Sequence, residues 1–476
     1  MDAFSLSRAR FYASPWECEP KFWYNAPKPG GKMNRISRRG FIKTAAVGSA
    51  GLLLSGKARA VQASKGPATK TLKILQWNHF VPGYDKWFNE TYVKEWGAKN
   101  NTEVIVDNIG VLGLTPRAAA EAAAGKRHDL FFLPSPPAAY ENSVVDVSDV
   151  YQQCEKKYGK PIPLAVKSTF NPKTKKYFAF SDSFVPDPIN YRIDLWDEIG
   201  MKPDSWNEIR VGGKKIKDKT GIPLGIGLSN EQDTAMAMRA ILYSFGGSVQ
   251  DENNRLVLNS KNTLEAVKFV KALYQETMTP EVLAWDPSSN NRAMLAGKTS
   301  LVMNAISITR EAENKAMAIG DKIGLAKPAK GPVRRMGLGH LTNCYFIWKF
   351  ADNIDGAKQF LVDYVGNFRQ AFLASEFYNF PCFWNRVPDL VKLLESDAKG
   401  KPAGKYMALA DCLEWATNVG YPGYATAAID ETYTSWVLNT MFAQASTGAL
   451  SPEEAVKEAE GKCKRIWAKW QERKLI

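Results

Sequence analysis

The sequence predicts an α/β chain folded as two lobes, each a central mixed sheet flanked by helices, and three observations carry that prediction. Residues 71–133 alternate strand, helix, strand, helix and strand. A second succession of mixed elements restarts after residues 176–182 and continues without internal repeat or low-complexity tract, which excludes a repeat array. At 476 residues, with 45% hydrophobic and 24% charged side chains, the chain can bury more than one core.

The elements follow from local pattern. Residues 71–77 alternate as a strand, residues 84–100 carry a helical spacing, and Thr-Glu-Val-Ile-Val-Asp-Asn at 102–108 reads as a second strand. An Ala-rich helix over 117–125 leads to the apolar run at 128–133, a buried parallel strand that stops at Pro134-Ser135. Strands joined through helices make a parallel sheet. Ligands bind beyond the carboxyl ends of such strands, here Trp77-Asn78-His79 and Ser135-Pro136. In the second half we expect extended chain at 189–194, helices at 195–200 and 209–219, a strand at 223–228, and a Met/Ala-rich helix closing at Gly246-Gly247. Further strands are predicted at 299–304, 322–326 and 343–348. The Lys214, Lys215, Lys217 and Lys219 run reads as a solvated helix face.

The formal charge of +14 invites a search for nucleic acid. Residues 1–60, however, hold 11 Lys/Arg and 3 Asp/Glu, leaving a surplus of 6 on the remainder, so no nucleic-acid footprint is expected. Residues 37–43 read Ser-Arg-Arg-Gly-Phe-Ile-Lys and precede an apolar stretch at 44–54 and Lys57-Ala58-Arg59-Ala60. This is the pattern of a twin-arginine signal, with Arg38, Arg39, Phe41 and Lys43 as its head and Ala58-x-Ala60 as its cleavage site. The apolar run is too short to span a bilayer, so cleavage before Val61 should release a soluble periplasmic protein with no membrane span. Residues 1–32 precede the signal without periodicity, and Met33 is a candidate initiator. Five Cys remain in the mature chain, an odd count for an oxidising compartment.

Motifs for chemistry are sparse. Three His and six Cys include no zinc-ligand spacing, so no metal is expected. Ala296-Gly297-Lys298-Thr299 lacks the first glycine of a phosphate loop, and no dinucleotide fingerprint or serine-hydrolase elbow is present, so no cofactor is expected. Asp182, Asp187 and Glu231 read as ligand hydrogen-bonding groups or caps rather than acid catalysts. With 14 Trp, 18 Tyr and 23 Phe, several aromatics fall at strand ends and in loops: Trp77, Trp285, Trp384, Tyr421 and Tyr424. Aromatic faces stack on sugar rings while Asn, Asp, Glu and His fix hydroxyls.

The order of four segments resembles the bacterial extracellular solute-binding proteins of family 1, the receptors of sugar-type ABC transporters. They are residues 72–77 with the following helix; 176–209, with Asn190-Tyr191-Arg192, Asp194-Leu195 and Ser205-Trp206-Asn207-Glu208; 291–304, ending Gly297-Lys298-Thr299-Ser300-Leu301-Val302-Met303-Asn304; and 337–364. The resemblance implies a type II periplasmic-binding-protein-like fold with a ligand cleft between lobes. One lobe would comprise 71–181 and 327–370 and the other 182–326 and 371–476, with crossings near Phe180, Ala326 and Phe368. Carried over by position, Trp77, Asn78, His79, Ser135, Asp182 and Asn304 fall at the cleft. Asp187, Asn230, Glu231 and His340 join the aromatics above as further ligand-binding candidates. Ala305-Ile306-Ser307 follows Asn304 where many sugar binders have Gly and an aromatic, which favours a smaller or less ring-like ligand. The implied function is capture of a carbohydrate or related polar solute, by a monomer without turnover, for delivery to ABC permease subunits. The rivals are an exported enzyme, glycoside-active or cofactor-dependent, and a receptor for a polyol, polyamine or carboxylate.

Overall fold

The computed structural model describes residues 70–476, and the signal residues Arg38, Arg39, Phe41, Lys43, Ala58 and Ala60 lie outside them. Nine strands position the site: β1 (Lys70–Trp77), β2 (Thr102–Ile109), β3 (Leu130–Leu133), β4 (Phe180–Pro186), β5 (Ile189–Arg192), β6 (Leu301–Met303), β7 (Ile323–Ala326), β8 (Gly337–Ile347) and β9 (Phe380–Pro381). The first sheet runs β9-β4-β8-β3-β1-β2. Its β2-β1-β3 half is parallel, as the helix-linked pattern demands, and β8 and β4 add antiparallel strands. The apolar run of β3 is fully buried because it sits inside the sheet with packing on both faces. The second sheet, β6-β5-β7, is short and antiparallel.

Three helices matter for the site: α1 (Val111–Ala124), α2 (Trp206–Thr220) and α3 (Gln232–Ser244). Helix α1 begins six residues ahead of the expected start, on Gly110. The helix predicted at 84–100 is interrupted by a π-helical turn at Phe88–Tyr92, where Phe88 and Tyr92 pack against Phe360 and Tyr364.

One expected strand is absent. Residues 223–228 lie extended beside β6, with Gly225 N donating to Leu301 O at 2.8 Å and Ser300 N to Pro223 O at 2.9 Å, but form no strand of the ladder. Pro223 has no N–H to give, and Gly225 is so tightly enclosed that a Cβ would stand 2.6 Å from Thr299 Cγ2. Residues 182–186 belong to the first sheet, in which β4 stays paired with β8 as far as Pro186 opposite Gly339. The passage between sheets is therefore Asp187-Pro188, between β4 and β5. Residues 371–381 likewise end in β9, paired with β4. Ala326 ends β7 in the second sheet, and β8 of the first sheet begins at Gly337. All five described cysteines are free and buried.

Candidate functional site

Beyond the carboxyl end of β3, Pro134 and Ser135 face the head of α3 across a cavity of about 260 Å³. The first sheet's side also supplies Leu112 and Thr115 from α1, and the opposite side supplies Asn230, Glu231 and Gln232. Pro287, Tyr433 and Trp436 complete the wall. The cavity thus joins residues set by the two sheets, at strand ends of the kind where α/β folds bind ligands.

Glu231 caps α3: its carboxyl accepts the N–H groups of Asp233 at 2.6 Å and Thr234 at 2.5 Å. These are donors that the first helical turn cannot satisfy internally, so the backbone fixes the side chain. Burial, and then the adjacent Asp233 carboxyl, push the Glu231 carboxyl well above the usual range. The Tyr433 ring lines the cavity with its hydroxyl buried and without a hydrogen-bond partner, and the Gln232 amide nitrogen is in the same condition. Behind the wall, the Arg239 guanidinium stands 4.9 Å from the Tyr433 ring centre and is itself buried. Trp436 is half-buried, 6.0 Å from Tyr433 between ring centres, and holds a left-handed backbone at φ 57°. Strain of that kind on a bulky residue costs on the order of 1–3 kcal/mol and is concentrated at ligand clamps.

Of the residues chosen from sequence, Ser135, Asn230 and Glu231 line this cavity. The others lie elsewhere. Trp77 is 1% exposed at the end of β1, stacked on Phe132 at 5.8 Å and edge-on to Phe80 at 5.3 Å. Asn78 is exposed, its N–H held by Ile109 O at 2.8 Å. His79 is buried, with Nε2 3.2 Å from Asn379 Oδ1 and its ring 4.9 Å from Tyr378. Burial lowers its pKa to about 4, so it is a neutral imidazole near pH 7. Asp182 is 2% exposed and accepts the Ser183 hydroxyl at 2.5 Å; burial raises its pKa to about 7.

Asp187 is buried at the passage between sheets, and the carbonyl of the next residue, Pro188, accepts Asn304 N at 3.4 Å. Asn304 Nδ2 donates to Asn291 Oδ1 at 2.6 Å and Asn290 Oδ1 at 3.0 Å, and Asn290 Nδ2 donates to Asp233 Oδ2 at 2.6 Å. Asn190 Nδ2 donates to the Asn304 carbonyl at 2.8 Å. This network ties β5, β6 and α3 together, behind the Glu231 cap. Trp285 is half-buried against Gly225, and its carbonyl accepts Ser229 Oγ at 2.7 Å. Trp384 lies at the first sheet's edge, 6.5 Å from Phe380. Tyr421 packs 5.3 Å from Tyr243, and Tyr424 packs 6.0 Å from Phe170. Tyr421 lines a different cavity, of about 300 Å³. His340 belongs to β8.

Leu112, Gln232, Tyr433 and Trp436 escaped the sequence reading. For the last two, the signal was the pair of aromatics at a helix junction, Tyr433 in the last turn of the helix at 427–434 and Trp436 just ahead of the helix at 437–447.

The cavity thus lies beyond the strand ends of the first sheet, against the head of α3. The chain belongs to the bacterial extracellular solute-binding proteins, whose family profile it matches over residues 83–376. A protein of Brucella abortus (strain 2308) named as a binding protein is 23% identical over 175 residues, which are 36% of this chain and 42% of that protein. The chain therefore matches less than half the length of that curated relative. Maltose-bound T. maritima MalE3 superposes with a TM-score of 0.69 at 20% identity, covering 84% of this chain and 100% of that one. A sugar transporter from Arthrobacter chlorophenolicus A6 with bound laminaribiose gives a TM-score of 0.68 at 16% identity, over 83% and 99% of the two chains. Both are likenesses of fold. Among the described residues no helix is long and apolar enough to cross a membrane.

Proposed function

We propose that the protein is the solute-binding component of an ABC importer, and that it closes its two lobes on a carbohydrate of mono- or disaccharide size and hands it to membrane permease subunits. The observation that carries this reading is the cavity of about 260 Å³ between Ser135 and the Glu231 cap of α3. Its volume lies just below the range of roughly 300–1,000 Å³ common for drug-sized ligands, which favours a short ligand over a long oligosaccharide. Family membership and the sugars held by the two structural relatives support the class of ligand. Glu231, Asn230, Gln232 and Ser135 would bind hydroxyls, Trp436 and Leu112 would cover the apolar faces of the ring, and the reading requires neither cofactor nor turnover. The lobes would be built on the two sheets, the first lobe holding β4 and β9, and the receptor would work as a monomer.

Ligand-free protein screened by thermal shift against monosaccharides, disaccharides and polyols tests the proposal. A ligand at 100 times its Kd should stabilise by about 2.7 kcal/mol. A panel without any stabilising sugar or polyol would refute the carbohydrate reading. Export through the twin-arginine route belongs to the same proposal and rests on Arg38-Arg39 and Ala58-x-Ala60. Changing both arginines to lysine should stop export, since a guanidinium pair is not replaced by ammonium groups. Mature protein still reaching the periplasm in that variant would overturn this part.

A further inference from the structure

The side chains around the cavity have an unbalanced charge. Among the described residues lining it, Glu231 is the single acid and there is no lysine or arginine. The Tyr433 ring in its wall stands in the field of three carboxyls, those of Glu231, Asp233 and Asp430. The opposing cation in that field is the Arg239 guanidinium, which is buried on the Tyr433 ring face and absent from the cavity lining. Asp430 is itself committed, its Oδ2 accepting Ala139 N at 2.8 Å. Glu231 is held by two backbone N–H groups, yet each carboxylate oxygen keeps a further lone pair.

Two groups in the same wall lack partners and so point independently to a ligand. The Tyr433 hydroxyl is on a side chain only 5% exposed, and neither it nor the Gln232 amide nitrogen makes a hydrogen bond. Such groups cost free energy in the empty protein and recover it when a ligand supplies the missing partner. The Gln232 N–H needs an acceptor, as a sugar hydroxyl or ring oxygen provides. The Tyr433 oxygen can accept an N–H. Trp436, half-buried beside it, offers an aromatic surface of the kind that attracts cations.

We propose that the cleft selects a ligand carrying a cationic amine on a hydroxyl-bearing, sugar-sized frame, with the amine held at Glu231 and the Tyr433 oxygen, and Trp436 beside it. This rests on the carbohydrate reading of the same cavity and narrows it. The raised position of the Glu231 carboxyl supports the assignment, because an ammonium group beside it would stabilise the ionised form that burial and Asp233 now disfavour. A ligand carboxylate would meet no lysine or arginine in the lining and would face the Glu231 carboxyl, whose ionised form burial and Asp233 already disfavour.

Titration calorimetry on ligand-free protein at pH 7.5, with glucose, glucosamine, N-acetylglucosamine, glucuronic acid, the galactose counterparts of all four, and putrescine, tests it. The amino sugar should bind about tenfold tighter than its neutral parent, and the sugar acid at least about 100-fold more weakly than the amine. Glu231→Gln should bring the amine back to within about threefold of the neutral sugar. Tyr433→Phe should weaken binding by about 2- to 10-fold without lowering the melting temperature of the empty protein, because the deleted hydroxyl has no protein partner. A neutral or acidic sugar that binds as tightly as its amine, or an amine preference that survives Glu231→Gln, would overturn the inference while leaving the carbohydrate reading standing. Putrescine binding with no sugar bound would refute the carbohydrate reading and, with it, the hydroxyl-bearing frame of the inferred ligand. No binding by any member of the panel would overturn both.

Discussion

Trp77 and Trp436 are both tryptophans placed near strand or helix ends, and the physics separates them. Trp77 is 1% exposed and packed on Phe132 and Phe80, so its ring is part of the first lobe's core. Trp77→Ala should destabilise the ligand-free protein by about 3–5 kcal/mol, the usual range for removing a buried Trp or Phe. Trp436 is half-buried on the cavity wall. Trp436→Ala should leave the unliganded melting temperature almost unchanged and weaken ligand binding by about 1–3 kcal/mol. Denaturant melts and calorimetry on the two variants measure both effects, and reversed results would exchange the roles. Asp182 carries a separate signature. Its folded carboxyl holds a proton up to about pH 7, while an unfolded Asp loses it near 3.9. The native state therefore binds the extra proton within that window, and stability falls as pH rises through it. Asp430, raised to about 7 by burial, acts in the same direction. Asp182→Asn should flatten the fall, its stability relative to the parent growing by up to about 1.4 kcal/mol per pH unit. Urea melts at pH 4.5, 5.5, 6.5 and 7.5 would show this, and a pH-independent difference would refute it. At this scale a sequence reveals residue type but not which side of a strand end faces the cavity; that is why Ser135 and Glu231 were legible as candidates while Tyr433 and Trp436 were not.

Helices are most legible where their ends are chemically marked. Helix α2 begins on Ser205, whose Oγ accepts Glu208 N at 3.2 Å while the Glu208 carboxylate accepts Ser205 N at 2.8 Å, a reciprocal cap visible in Ser-Trp-Asn-Glu. Ser205→Ala should cost about 1 kcal/mol of stability. Because this cap stands outside the cavity lining, ligand affinity should stay within about twofold, and a larger loss would show that α2 helps to shape the cleft. Glu231 at the head of α3 performs the same capping chemistry but also faces the cavity. Nothing in its local sequence distinguishes the two cases; the difference comes from what packs opposite. The apolar runs of β1, β2 and β3 were equally legible, since alternation and continuous burial are local properties. Residues 223–228 carry the same apolar signal, yet Pro223 and the crowded Gly225 keep them out of the ladder. The extent of β4 was hidden because its pairing partner, β8, lies more than 150 residues away in sequence.

For the molecule as a whole, the proposed function sets Leu112, Thr115 and Ser135 on one lobe's wall of the cavity and Glu231, Tyr433 and Trp436 on the other's. A ligand bound to one wall alone would have equal affinity for open and closed arrangements and could shift neither; contact with both walls supplies the difference. Moving such an equilibrium from 1:99 to 99:1 takes about 5.5 kcal/mol of preference for the closed form. In that proposal the motion would fall at the short passage Asp187-Pro188 and in residues 327–336, which join the two sheets without belonging to either. Solution scattering on the protein without and with saturating ligand should therefore show a smaller radius of gyration in the bound state, and tryptophan emission should change because Trp436 lies in the wall that becomes covered. In Trp436→Ala, measured at ligand concentrations that still saturate the site, the compaction should be reduced, because one wall has lost a contact formed on closing. Scattering curves that superimpose with and without a tightly bound ligand would mean that the cavity is a rigid pocket, and that the permease reads something other than lobe closure.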